Sequence, residues 1–297
     1  MCTTNRVPRG LPHHHLPRRL LTTHAGIVRD IMFAMGVLAL VLTCCGCTET
    51  GSGRDQQAQP DAWAATVERG TLRVGTEGTY SPYSYHGNDG DLTGYDIELV
   101  QAIAEKLGLR AEFSEMGFDG LAAGLDSGKF DVVADQICVT PEREEKYLFS
   151  HPYAFVKGVV ITRGDRDDVK SFEDLRDKDV SLTITSNWAK VAESHGARIV
   201  STGGFSESMQ MVADGRVDAT VNDNLVFLDY MAQHPDAPVR IAATAEETDV
   251  VALMMRKGDG QLRDKVSGAL EELDKDGTLA SLSKKYFGED ISHRVDR

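Results

Sequence analysis

Cysteine is nearly absent from the body of this chain. Of five cysteines in 297 residues, only Cys138 lies beyond position 47. A disulfide-stapled scaffold is therefore excluded there, and an exported form would depend on its hydrophobic core. Long apolar runs are missing as well. The run from Ile31 to Thr43, "IMFAMGVLALVLT", is too short to span a bilayer comfortably. Positive charge is scarce: 32 Lys and Arg face 46 Asp and Glu, a net −14. That balance disfavours nucleic acid and anionic membrane surfaces as partners. No internal repeat is visible.

The N-terminus is a different material. Arg6, Arg9, Arg18, Arg19 and Arg29 precede the apolar run, with Asp30 the one acid among them. A basic segment, a short apolar stretch and small residues are expected to form a signal peptide. "CCGCTETGSG" follows and resembles a lipoprotein signal, with Cys47 favoured as the lipidated residue and Cys45 as the rival. A plain secretory signal is the alternative. The run His13–His15 falls in the removed part and is given no metal role; no metal or cofactor is expected. The expected organisation is a signal with lipobox over 1–47, then a polar, flexible linker over 48–66.

From Thr71 onward strand and helix signals alternate. "LRVGTE", "RAEFSE" and "FDVVAD" read as strands, and "YDIELVQAIAEKLG" places Ile97, Val100, Ile103, Ala104 and Leu107 on one helical face. Ser171 with Asp174 reads as the capped start of a helix. Such alternation implies parallel sheets covered by helices. Two long extended segments, Ala154–Asp165 and Asp249–Gly258, interrupt it. They divide the chain into two α/β lobes, 67–156 with 251–290 and then 157–250, with a hinge of two crossings and a cleft between them. The length suits about two domains.

In open α/β sheets ligands sit outside the C-terminal strand ends. Residues following the strands are Glu77, Tyr80 and Tyr83; Asp135, Gln136, Cys138, Thr140 and Arg143; Thr185, Ser186, Asn187 and Trp188; and Asn222 with Asp223. Phe118 precedes the second helix. An α-amino acid needs such a set. Its carboxylate suits the Arg143 guanidinium and the Asn187 N–H at a helix start. Its ammonium suits Asp223, and Tyr80 and Phe118 offer ring faces. Singly, each has a plain structural reading: Arg143 as a helix-start charge, Asp223 as an N-cap, the aromatics and Trp188 as packing.

"GYDIELVQAIAEKLG", "FDVVADQICVTPEREEKYLFSHPY", "VDATVND" and "DGTLASLSKKYFGED" together resemble the polar amino-acid-binding proteins of ABC importers, solute-binding protein family 3. "VGTEGTYSPYSYH", "TSNWAKVAE" and "VNDNLVFLDY" resemble its cystine-binding branch. The resemblance covers nearly all of Thr71 to Asp290. It implies a two-lobed periplasmic-binding-protein-like (type II) fold. It also implies a small amino-acid ligand and a permease and ATPase as partners; the protein is expected to be a monomer, exported and, with the lipobox, anchored by lipid on the outer face of the cytoplasmic membrane, or else periplasmic. By resemblance, Glu77 faces the ligand side chain, the backbone and side chains around Gln136 and Cys138 hold the head group, and the Asn187 N–H assists Arg143; Asp135, beside Glu77, suits a cationic or ammonium-bearing ligand, and Ser186 is a further binding candidate. The cystine branch typically carries Trp at Phe118, Asn at Asp135 and Gly at Cys138, so this chain departs at three pocket positions. Three alternatives stand beside binding and delivery: a thiol enzyme built on Cys138 and Arg143, a cyclohexadienyl or arogenate dehydratase on the same fold, and a ligand-sensing module.

Overall fold

The computed structural model describes residues 62–294. They begin in a helix, α1 (Ala62–Arg69), so residues 62–66 are helical where a linker is expected. Its sequence, "AWAATVER", lacks Gly and Pro and is rich in Ala, which favours helix. Both ends are tied down. Ala62 N donates to Asp259 Oδ1 at 3.2 Å, and Arg69 pairs with the buried Asp131 at 2.7 Å. The signal segment, Cys47 and positions 48–61 lie outside the described residues.

After α1 come β1 (Thr71–Thr76) and a small meander of β2 (Thr79–Tyr80), β3 (Ser84–His86) and β4 (Leu92–Thr93). Then follow α2 (Tyr95–Lys106), β5 (Arg110–Glu115), α3 (Phe118–Asp126), β6 (Val132–Val133), α4 (Pro141–Lys146) and β7 (Tyr147–Phe149). The chain crosses on β8 (Ala154–Val156) into β9 (Gly158–Arg163). Next are β10 (Asp179–Leu182), α5 (Asn187–Ser194), β11 (Arg198–Ser201), α6 (Phe205–Ala213), β12 (Ala219–Asp223), α7 (Asn224–Gln233) and β13 (Val239–Thr244). It returns on β14 (Asp249–Val251) into β15 (Met254–Arg256) and closes with α8 (Gly260–Lys275) and α9 (Thr278–Phe287).

Two five-stranded sheets result, β5-β1-β6-β15-β7 and β11-β10-β12-β9-β13, one in each lobe. Neither is purely parallel, which corrects the expectation. In each, the fourth strand runs against its neighbours: β15 in the first, β9 in the second. These are the strands that the two crossings deliver. The crossings themselves pair: β8 and β14 form an antiparallel ribbon with Phe155 opposite Val250. Two chain segments pinned side by side make a two-stranded hinge.

Burial explains the strand choice. All five residues of β12 are buried, as a central strand covered on both faces requires. Edge strand β5 alternates between exposed and half-buried positions. On α2, Ile97, Leu99, Val100, Ile103 and Ala104 are buried, and Gly108 follows in the left-handed region at φ 69°. The closing helices return to α2: Tyr286 and Lys285 both reach Glu98, and the Phe287 ring lies 5.1 Å from that of Tyr95. One continuous core runs through both lobes, from Val74 and Tyr95 to Trp188 and Val221. Gly158 permits this: a Cβ there would stand 2.6 Å from the Trp188 ring.

The expected helix at Ser171 is only a 3-10 turn, Glu173–Leu175. Half of the capping arrangement forms, because Asp174 Oδ2 accepts from Lys170 N and Ser171 N at 2.9 and 3.0 Å. Asp177, in the left-handed region at φ 60°, marks the turn into β10.

Candidate functional site

The strand ends of the two sheets face one another across a cavity of about 50 Å³. The first lobe supplies Glu77 after β1, Tyr80 on β2, Phe118 at the start of α3, and Asp135 with Gln136 after β6. The second supplies Ser186 and Asn187 at the start of α5 and Asn222 at the end of β12. Seven of the ten candidate residues thus line one cavity.

Local geometry explains their placement. The chain leaves β6 through Gln136, a non-glycine residue in the left-handed region at φ 53°. That turn points Gln136 N–H at Asp96 Oδ2, 2.6 Å away, and its side-chain amide donates to the Tyr83 hydroxyl at 3.0 Å. Gln136 Oε1 has no protein partner among the described residues. Asp135 is fully buried; its Oδ1 accepts from Glu77 N at 2.8 Å and Thr76 Oγ1 at 3.1 Å, while Oδ2 has no partner among the described residues. Ser186 caps α5 by accepting from Ala189 N at 3.1 Å, which sets Asn187 as the first helical residue.

Asp223, Cys138 and Arg143 lie outside the cavity lining. Asp223 is the N-cap of α7: Oδ1 accepts from Leu225 N and Val226 N at 2.9 Å each and from the Tyr83 hydroxyl at 3.1 Å. Its Oδ2 stands 3.2 Å from the Tyr80 hydroxyl, which donates to Asn222 Oδ1 at 2.8 Å. Arg143 turns back across its own loop to donate to the Cys138 carbonyl at 2.9 Å, and its guanidinium lies 5.9 Å from the Phe118 ring centre. Cys138 is buried and its backbone bridges to Val251 on the returning crossing. Burial pushes its thiol well above the ordinary range, the opposite of an activated nucleophile.

The cavity is acidic and poor in counter-charge. Burial pushes the Glu77 carboxyl up to about 7, with Asp119 adding to the shift and Thr79 opposing it. Burial, then Glu77, push Asp135 well up. Asp96 is pushed up to about 7 by burial, against the Gln136 N–H bond. Asp223 is raised by burial against its capping bonds. Tyr80 and Tyr83 are raised by the same burial and by Asp223.

Further contacts join the lobes at the rim. Thr185 Oγ1 donates to Asp119 Oδ1 at 2.5 Å, Gln233 reaches Ser81 at 3.2 Å, and Lys190 pairs with Glu142. Phe205 also lines the cavity and is absent from the sequence-derived set. It opens α6 just beyond β11, so the same strand-end rule applied to "ARIVST" would have reached it.

The chain is 42% identical over 259 residues to the L-cystine-binding protein TcyA of Bacillus subtilis, covering 87% of this chain and 96% of that protein. An ancestral arginine-binding protein bound to arginine superimposes with TM-score 0.70 at 41% identity, over 74% of this chain and 99% of that one. The L-cystine solute receptor of Neisseria gonorrhoeae in its unliganded open conformation gives 0.54 at 40% identity, over 77% and 99%. At nearly equal identity, the present conformation lies nearer the arginine-bound protein, in keeping with the hydrogen bonds between its lobes. Residues 72–289 match the bacterial extracellular solute-binding proteins, family 3, and the chain belongs to that family.

Proposed function

We propose that the protein captures a polar amino acid, cystine by preference, by closing its two lobes around it, and delivers it to the permease and ATPase of an ABC importer. The observation that carries this reading is the convergence of Glu77, Tyr80, Phe118, Asp135, Gln136, Ser186 and Asn187, from both lobes, on one cavity. Contacts made from both sides favour the closed state when ligand is bound. The name of the Bacillus relative supports cystine.

In this reading the lobes are 67–156 with 251–290, and 157–250. Tyr80 and Phe118 flank the ligand, and Glu77 and Asp135 meet its side chain. Gln136, Cys138 and the Asn187 N–H attend the head group. Arg143 swings from the Cys138 carbonyl to clamp the carboxylate, and Asp223 takes the ammonium in place of the Tyr80 hydroxyl. Cys47 carries the lipid that holds a monomer outside the cytoplasmic membrane. No chemical step is required, and the deeply buried Cys138 argues against a thiol enzyme.

Calorimetry against the twenty amino acids and cystine tests the reading. A ligand binding tighter than about 1 mM, roughly 4 kcal/mol, is expected. Absence of any such ligand, or turnover of prephenate or arogenate, overturns it.

A further inference from the structure

Glu77 and Asp135 are neighbours with an unusual shortage of partners. The Glu77 N–H donates to Asp135 Oδ1, tying together the ends of the paired strands β1 and β6, and both residues line the cavity. Asp135 is fully buried, and its Oδ2 has no protein hydrogen bond among the described residues. Neither acid forms an ion pair with any described Lys, Arg or His.

What surrounds them does not supply positive charge. Asp96 on α2 and Asp119 on α3 oppose their ionisation. The Thr76 and Thr79 hydroxyls donate to Asp135 and Glu77. Tyr80 and Tyr83 are neutral and engaged with Asn222 and Asp223. Arg143 on α4 is spent on the Cys138 carbonyl. Across the cleft, Glu77 Oε1 abuts Gly204, where a Cβ would stand 3.0 Å away, at the start of α6. That helix terminus favours an anion on Glu77, while Asp135 Oδ2 has no hydrogen-bond partner among the described residues. A fully buried carboxyl and a half-buried one bonded to it through backbone cannot both ionise cheaply, so the pair keeps a proton.

We propose that this pair makes capture proton-linked: the unliganded cleft holds a proton on Glu77–Asp135, and a ligand with a distal ammonium or guanidinium displaces that proton to solvent. The inference rests on the amino-acid-binding reading above. No bond other than the carboxyl O–H is broken, and the proton leaves to buffer as the ligand's cation takes its place. A ligand with a neutral distal amide leaves the proton where it is.

The sign follows from the direction of the shift. A cation beside the pair favours its ionised form, so binding lowers its proton affinity and releases a proton. With both carboxyls raised in the free protein, affinity for a ligand with a distal cation rises as pH rises through the titration of the pair, by up to about tenfold per unit for the one proton displaced.

Titration calorimetry of the intact protein near about pH 6, in buffers of different ionisation heat, reads the proton directly. L-Arginine, L-cystine and L-glutamine are the probes. About one proton released with arginine or cystine, and none with glutamine, is expected. Asp135→Asn and Glu77→Gln should each abolish the release. Binding of arginine or cystine without proton exchange overturns the inference and leaves the amino-acid reading standing, as does a release that survives in both variants. Absence of binding by all three, and by the remaining amino acids, overturns the reading itself.

Discussion

The hydroxyl of Tyr80 in the first lobe bonds Asn222 Oδ1 in the second at 2.8 Å, inside the cavity and beside Asp223. This bond exists only while the lobes are together. It therefore contributes to the closed state and not to the open one, and any effect of its loss reads out as a shift between them.

Tyr80→Phe keeps the ring and removes that bond. A buried hydrogen bond to a polar partner is worth about 1 kcal/mol, and one with a charged neighbour somewhat more. Ligand affinity should fall by about tenfold, and small-angle scattering of the unliganded variant should show a larger radius of gyration than wild type. Unchanged affinity and radius would remove Tyr80 from the closure mechanism.

Asp223 has a structural task separable from any ligand. It caps α7 twice and receives the Tyr83 hydroxyl in a fully buried setting. Loss of an N-cap costs about 1 kcal/mol, and each buried donor left unpaired adds about 1–3. Asp223→Ala should therefore lower unfolding free energy by about 2–4 kcal/mol in urea, measured without ligand. A variant as stable as wild type would assign Asp223 to ligand alone.

How much of this could be read from residues depended on the range of the interaction. The α2 face was legible because five apolar residues repeat at helical spacing, a local property. The two long extended segments are visible in the sequence, while the pairing of β8 with β14 inside them is shown by the structure. The reversed strands β9 and β15 were not legible, since direction within a sheet is set by where a chain returns. Six of the seven cavity residues are legible because they follow strands, and Phe118 because it opens a helix. Arg143 and Asp223 also follow strands and take their expected roles from charge, yet the fold first satisfies their nearest backbone: a carbonyl five residues back, and the amides of the next turn. Charge type reveals what a residue can hold; neighbouring backbone decides what it holds.

Cys138 provides a test that needs no variant. Its thiol is buried, pushed up by that burial, and locked in a segment whose backbone bonds to the returning crossing. The native protein should not react with an aromatic disulfide reagent at mildly alkaline pH, and one thiol per chain from this position should appear on unfolding in guanidinium. A mixed disulfide at Cys138 after exposure of the native protein to cystine, detected by mass spectrometry, would show that the thiol is accessible to that disulfide.

Asp96 ties α2 to the cradle by accepting the Gln136 N–H at 2.6 Å, and burial pushes its carboxyl from 3.8 up to about 7. The folded state thus binds this proton more tightly than the unfolded chain. Stability from Asp96 is fully present below the unfolded value and is lost as pH rises to about 7, above which the loss is complete. Asp96→Asn keeps an acceptor for the Gln136 N–H and stays neutral throughout. The variant should therefore gain stability relative to wild type between about pH 4 and 7, with a constant difference above. Chemical denaturation of both proteins at several pH values measures the gap. A difference that does not change across this range would mean that Asp96 titrates alike in the folded and unfolded chains.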